Sequence, residues 1–142
     1  MAIEKEGPLP AVDIKLSGSK KIICYWLPVL IYCLLIFIQS SYPSPESIFV
    51  FPYIDKVAHF VVYAILGVLF FRAFRTWRFK EKINMVILLS ILLSSLYGLS
   101  DEIHQSFLPY RDADIIDFFA DVAGSVCGVY IFSTGYRGLF EY

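Results

Sequence analysis

Ionisable side chains recur in this chain at spacings that would bring them together on helices. Asp55 and His59 are four residues apart, so in a helix they share one face, and Asp117 and Asp121 repeat the same spacing. A carboxylate beside an imidazole suits general acid–base chemistry, with Asp55 and His59 as the base and its orienter. The same residue types suit a divalent cation, because carboxylates bind hard cations and histidine binds transition metals.

Two cations accompany these acids. Arg111 carries a planar guanidinium that suits phosphate or carboxylate, and Lys56 adds a second positive charge. The alternative to ligand binding is a structural role for both cations, in which Arg111 would form an ion pair with Asp114 or Asp117. Lys56 would then pair with the acids at 101–102. Eight acids in this part of the chain exceed the two cations, which leaves room for a metal, protonated carboxyls or a cationic ligand.

The candidate residues divide by the chemistry that they would carry. The candidates for general acid–base catalysis are Asp55, His59, Asp101 and Glu102. The candidates for holding a divalent cation are His59, Asp101, Glu102 and Asp117. The candidates for binding a ligand are Lys56, His104, Gln105, Arg111, Asp114, Asp117 and Asp121.

Long apolar segments must position these residues. The chain has 142 residues, 58% of them hydrophobic, and a transmembrane helix needs about 20 mainly apolar residues. The predicted spans are 22–39, 57–74, 83–100 and 115–133. We therefore predict an all-α polytopic membrane protein, an antiparallel bundle of about four transmembrane helices. The predicted parts are a polar tail at 1–19, the transmembrane domain at 20–133 and a short tail at 134–142.

The positive charges predict how the bundle is oriented. Ten of the twelve Lys and Arg residues lie before the first span, after the fourth span, or from the last residues of span two to the start of span three, and the other two are Lys56 and Arg111. The positive-inside rule then predicts cytoplasmic N- and C-termini. The acidic residues would form a shared pocket that faces outward. Because the membrane explains the basic residues, membrane lipids are the predicted partners and nucleic acid is not; no oligomeric state is predicted.

Glycines extend the polar stripe of the fourth span. Gly124 and Gly128 follow Asp121 at helical spacings of three and four residues. Small residues at such positions let a neighbouring helix approach closely. The sequence therefore predicts a tight helix–helix contact below the acids.

These motifs resemble those of the VanZ-like family. The segment DKVAH at 55–59 and the segment DEIHQSFLPYR at 101–111 match its D-K-x-x-H and D-E-x-x-Q-x-F-x-P-x-R patterns, and later acids and glycines follow. Tyr110 departs from the glycine that many members have. The resemblance covers about 20–132 and implies a multi-pass protein of the bacterial cytoplasmic (inner) membrane. The founding member is associated with teicoplanin resistance, which implies an effect on envelope lipids or surface components.

The function expected from pattern and resemblance is recognition or modification of an anionic lipid or cell-wall precursor head group, with an effect on glycopeptide (teicoplanin) susceptibility. One alternative is a membrane enzyme that uses metal- or Asp/His-assisted chemistry on a lipid head group. Others are a structural or partner-binding protein without a ligand, and a proton relay through Asp117 and Asp121. No G-x-S-x-G or H-E-x-x-H signature is present, and the binding and enzymatic versions use the same residues.

Overall fold

Four α-helices form the described part of the chain. The computed structural model describes residues 18–43, 53–76, 82–111 and 113–140. Each helix contains a stretch long and apolar enough to cross a membrane, so the predicted all-α architecture with four spans is confirmed. The helices are α1 (Gly18–Ser40), α2 (Ile54–Phe74), α3 (Ile83–Gln105) and α4 (Ile115–Phe140).

The helices are longer than the apolar segments from which they were predicted. Helix α2 begins three residues before the predicted span, so Asp55 and Lys56 lie in its first turn, and α3 continues to Gln105. Helix α4 continues to Phe140, through most of the predicted tail at 134–142. An α-helix is held by hydrogen bonds between backbone groups, so it can continue through polar residues beyond the end of its apolar segment. Most of the predicted tail at 1–19, and part of the basic loop after α2, lie outside the described residues.

The core lies among α2, α3 and α4. Tyr63, Leu66 and Phe71 of α2 are almost completely buried, as are Val86 of α3 and Val129 of α4. Helix α1 contributes few buried apolar side chains to this core among its described residues. They are Val29 and Ile36. Much of the apolar surface of α1 is exposed, as expected for a helix that faces lipid.

Close contact between α2 and α4 fixes the geometry of the bundle. A Cβ atom at Gly124 would collide with the backbone carbonyl of Phe60, and one at Gly128 with that of Ala64. The predicted role of the two glycines as a close helix contact is confirmed. The acids of α4 lie one to two turns before Gly124, towards the start of the helix. The polar residues of α2 face them there.

Interhelical hydrogen bonds add to the packing. The Ser125 hydroxyl of α4 donates to Ser94 Oγ of α3 at 2.8 Å, and the Ser94 hydroxyl donates to the Tyr63 carbonyl of α2 at 3.3 Å. The Tyr97 hydroxyl donates to the Cys33 carbonyl at 2.6 Å and so joins α3 to α1. Each such bond in a membrane contributes about 0.6 kcal/mol on average.

Candidate functional site

The acidic end of the bundle, where α1 and α3 end and α2 and α4 begin, carries the candidate residues. Lys56 lies at its centre. Its ammonium contacts Asp114 and Asp117 at 2.7 Å each and the neighbouring Asp55 at 2.9 Å. The cation of α2 is thus shared among three carboxylates, two of which come from α4 or the residue before it.

His59 lies one turn deeper and binds the most deeply buried acid. Its Nδ1 lies 2.9 Å from Asp121 Oδ1, and Asp121 is fully buried. The expected partnership of His59 with Asp55 is therefore wrong, because Asp55 contacts Lys56 instead. Four-residue spacing places two side chains on one face of a helix, but it does not show that they contact each other. His59 instead contacts a buried partner on the neighbouring helix.

The acids of α3 have two different environments. Asp101 Oδ2 accepts a hydrogen bond from Gln105 Nε2 at 3.1 Å, within the same helix. Glu102 Oε2 accepts one from the backbone N–H of Asp114 at 3.1 Å. Both acids are buried. The expected pairing of Lys56 with one of these two acids is not the pairing that the structure shows.

Asp114 joins the ion-pair cluster to the start of α4. Its Oδ1 accepts the backbone N–H of Ile116 at 2.9 Å, and its carbonyl accepts that of Asp117, so Asp114 caps the helix. The hydrogen bond from the Lys56 ammonium, together with that from Ile116, holds the pKa of the Asp114 carboxyl below its ordinary value. Asp114 therefore stays ionised and serves both as a cap and as a partner of Lys56.

His104 lies apart from this cluster. Its Nε2 lies 3.0 Å from Ser41 Oγ, and its ring packs on Phe37 with centroids 4.7 Å apart. It thus contacts the end of α1. Although it was predicted as a ligand-binding residue, His104 joins α3 to α1 and does not line the cavity described next.

A cavity of about 740 Å³ opens between α1, α2 and α3 at the acidic end. Its polar wall contains six candidate or neighbouring side chains, namely Asp55, His59, Asp101, Gln105, Arg111 and Asp117. Its apolar wall includes Tyr32, Leu35 and Ile36 of α1 with Val62 of α2. Nothing in the sequence indicated the α1 residues, because they carry no charge at neutral pH and resemble any lipid-facing surface.

Other candidates lie just outside the cavity. Glu102 and Asp114 line a second, smaller hollow of about 200 Å³ between α3 and the start of α4. Asp121 lies behind His59. Ligand atoms of His59, Glu102 and Asp121 all lie within 4.8 Å of one another, which makes these three the group best placed to hold a metal ion among the residues that the structure describes. Of the predicted metal ligands, Asp101 and Asp117 are not in that group.

The fold and site define a four-span membrane protein with an amphipathic cavity at one end, and comparison with known proteins gives its family. The VanZ/LLP1 family matches residues 25–136, and the chain belongs to it. An uncharacterized protein of Schizosaccharomyces pombe is 33% identical over 106 residues, which are 74% of this chain and 58% of that protein. The chain thus spans less than two thirds of that relative. No solved structure matches the chain significantly.

The yeast relative bears on localisation. Four apolar helices and the family match make the chain a multi-pass membrane protein. Because a relative occurs in a eukaryote, family membership alone does not specify a bacterial membrane. The inner membrane and the cytoplasmic termini therefore stay predictions.

Proposed function

We propose that the protein binds the phosphate-bearing head group of a membrane lipid, either an anionic phospholipid or a lipid-linked cell-wall precursor, in the cavity at the acidic end. The observation that carries this proposal is the change in polarity along the cavity wall. Asp55 and Gln105 lie at the ends of their helices, whereas Tyr32 and Val62 lie about two turns deeper, some 10 Å at 1.5 Å per residue. A molecule that fits both parts has a polar head and an apolar chain.

The volume and the charges of the wall agree with such a ligand. Ligand pockets commonly measure about 300–1,000 Å³, and this cavity lies within that range. The Arg111 guanidinium lines the cavity and has the planar geometry that suits a phosphate. Two acids of the wall, Asp55 and Asp117, contact the Lys56 ammonium, which offsets their charge. A phosphate beside Arg111 therefore meets less repulsion than the number of acids indicates.

Orientation follows from the same proposal. We place the acidic end on the outer face of a bacterial inner membrane and both termini in the cytoplasm, as the basic residues predict. Lipid-linked cell-wall precursors present their head groups at that outer face. Binding there would change the glycopeptide susceptibility of the cell, and expression of the chain should change the concentration of teicoplanin that inhibits growth.

Native mass spectrometry of the protein in nanodiscs tests the proposal. Nanodiscs would contain phosphatidylethanolamine with either phosphatidylglycerol or an undecaprenyl diphosphate lipid, so that the retained lipid identifies the source. Ala58 is exposed and lines the cavity, so Ala58→Phe should fill it and reduce retention. The matched control is Val57→Phe, because Val57 is 55% exposed and does not line the cavity.

Charge is tested by a second pair of variants. Arg111→Ala should lose the bound lipid, whereas Arg72→Ala, which removes an exposed arginine at the opposite end of the bundle, should keep it. Equal retention by the wild type, Ala58→Phe and Arg111→Ala would refute the proposal and favour a structural or partner-binding role.

A catalytic version of the same site has one observation in its favour. His59 lines the cavity while the buried Asp121 carboxylate holds its ring, an arrangement that suits general acid–base catalysis on a bound head group. Incubation with radiolabelled lipid should then yield a product that the Asp121→Asn variant does not form. Binding without turnover by the wild type would restrict the protein to recognition.

A further inference from the structure

Three helices each place one metal-ligating residue at a common point behind the cavity. His59 comes from α2, Glu102 from α3 and Asp121 from α4. One possible ligand atom from each lies within 4.8 Å of those of the other two. All three are withdrawn from solvent: Asp121 is fully buried, Glu102 is 7% exposed, and His59 lies partly buried against the cavity.

The hydrogen bonds of the two acids point to a ligand. Glu102 uses Oε2 to accept the Asp114 N–H, and Asp121 uses Oδ1 to contact His59. The second oxygen of each, Glu102 Oε1 and Asp121 Oδ2, is buried and has no hydrogen-bond partner among the described residues. Buried polar atoms of side chains nearly always have a partner, since leaving one without a partner is energetically costly. A bound cation would supply the missing partner for both of these oxygens.

Ligand chemistry indicates which kind of ion fits. One imidazole nitrogen with two carboxylate oxygens suits Zn²⁺, Mn²⁺ or Fe²⁺, whereas Ca²⁺ and Mg²⁺ favour oxygen ligands. Tetrahedral Zn²⁺ with bonds of about 2.0–2.1 Å separates its ligand atoms by about 3.3 Å. The candidate ligand atoms of the three residues lie within 4.8 Å of one another. Small side-chain movements would therefore complete the coordination.

We propose that His59, Glu102 and Asp121 form a binding site for a divalent transition-metal ion that joins α2, α3 and α4. The site goes beyond the proposed lipid binding, because an ion can be held with no lipid in the cavity. His59 is shared by the cavity wall and the cluster. An ion bound there lies next to any head group in the cavity.

Metal analysis of the purified protein tests the site. Protein prepared in detergent, stripped with EDTA and dialysed against Zn²⁺ or Mn²⁺, should retain about one ion per chain. The variants Glu102→Gln and Asp121→Asn preserve side-chain shape and should lower the affinity roughly tenfold or more. The matched control is His104→Gln, which changes the other histidine of the chain and lies outside the cluster. This control should bind as the wild type does.

Thermal unfolding gives a readout that does not require the variants to be equally stable. Zn²⁺ or Mn²⁺ should raise the apparent melting temperature of the stripped wild type, because a ligand of the folded state stabilises it, and Mg²⁺ at the same concentration should not. The ion-induced rise should disappear in Glu102→Gln. Absence of ion and of stabilisation in the wild type, or unchanged binding in both cluster variants, would overturn the site. Neither result alters the lipid-retention experiment, which uses Ala58→Phe and Arg111→Ala.

Discussion

Lys56 is the residue on which the charge balance of the acidic end depends. Its ammonium contacts three carboxylates at 2.7–2.9 Å, and its side chain is only 18% exposed to solvent. The contact with Asp117 joins α2 directly to α4. Removal of this one cation would leave three carboxylates close together without a positive charge between them.

Lys56→Met should therefore destabilise the bundle. We expect a loss of about 3 kcal/mol at most, the lower edge of what breaking a buried ion pair costs, because water still reaches part of the Lys56 side chain. Thermal unfolding in detergent measures the loss, and Lys56→Arg is the control that keeps the charge. The difference from the wild type should shrink as the pH falls through the lowered pKa of Asp114, because that carboxyl then loses its charge. A Lys56→Met variant as stable as the wild type would show that the ion pairs contribute nothing.

Asp114 permits a prediction on pH. Its pKa is lowered by Lys56 and the Ile116 N–H, so its contribution to stability is fully present above the ordinary Asp pKa of about 3.9. That contribution is lost as the pH falls through the lowered value. Asp114→Asn keeps a capping oxygen and should melt slightly below the wild type at pH 7, whereas Asp114→Ala should melt lower still.

The pH profile separates the cap from the charge. The gap in melting temperature between the wild type and Asp114→Asn should stay constant from pH 8 to about pH 5 and close below about pH 4. A gap that is independent of pH would mean that the ion pair with Lys56 is not what Asp114→Asn removes.

Partner choice at this scale could be predicted only in part. The polar stripes named the side chains that gather at the acidic end. Which acid meets which cation depends on how far each helix is rotated, and spacing within a single helix does not contain that information. His59 accordingly meets Asp121, 62 positions away, and His104 turns to Ser41 of the segment after α1.

At the scale of elements, the contact between α2 and α4 governs the site. Close approach at Gly124 and Gly128 brings the backbones together just below the residues that pair at the acidic end. Added methyl groups would press on carbonyls of α2, and backbone has little freedom to move aside. The site therefore depends on two residues that carry no chemistry of their own.

Gly124→Ala and Gly128→Ala should each destabilise the protein. Forcing extra volume into packed helices commonly costs about 1–3 kcal/mol. The matched control is Gly135→Ala in the same helix, because nothing lies within 4 Å of the Cβ position there. That control should be neutral or stabilising by up to about 1 kcal/mol through helix propensity. Thermal unfolding compares all three, and equal effects at the three positions would contradict the tight contact.

Helix positions could be predicted well because a transmembrane span is recognisable in the sequence as a long run of apolar residues. Hydropathy gave the number of helices and the starts of α3 and α4. It missed the last turn of α3, with Asp101 and Gln105, because polar side chains end an apolar window without ending a helix. A pocket among the acidic residues was predicted, but its wall from α1 was not, since that wall depends on how loosely the helices meet.

At the scale of the whole molecule, topology is the property to measure first. Phe107 is 80% exposed in the connection between α3 and α4, and Lys82 is exposed at the opposite end of the bundle. In a background in which Cys24, Cys33 and Cys127 are replaced, Phe107→Cys should react with a membrane-impermeant maleimide in intact cells. Lys82→Cys should react only after permeabilisation. The reverse labelling pattern would mean that the protein has the opposite orientation, with the cavity at the cytoplasmic face.

The arrangement of partners along the chain also bears on how the protein is made. An acid raises the free energy of insertion of a membrane helix by up to about 2.5–3.5 kcal/mol, the value at the helix centre, and α4 carries both Asp117 and Asp121 in its first two turns. Their partners Lys56 and His59 belong to α2, which leaves the ribosome earlier. When α4 reaches the bilayer, the groups that compensate its acids are already there. Insertion of the last helix is thus coupled to the presence of the second.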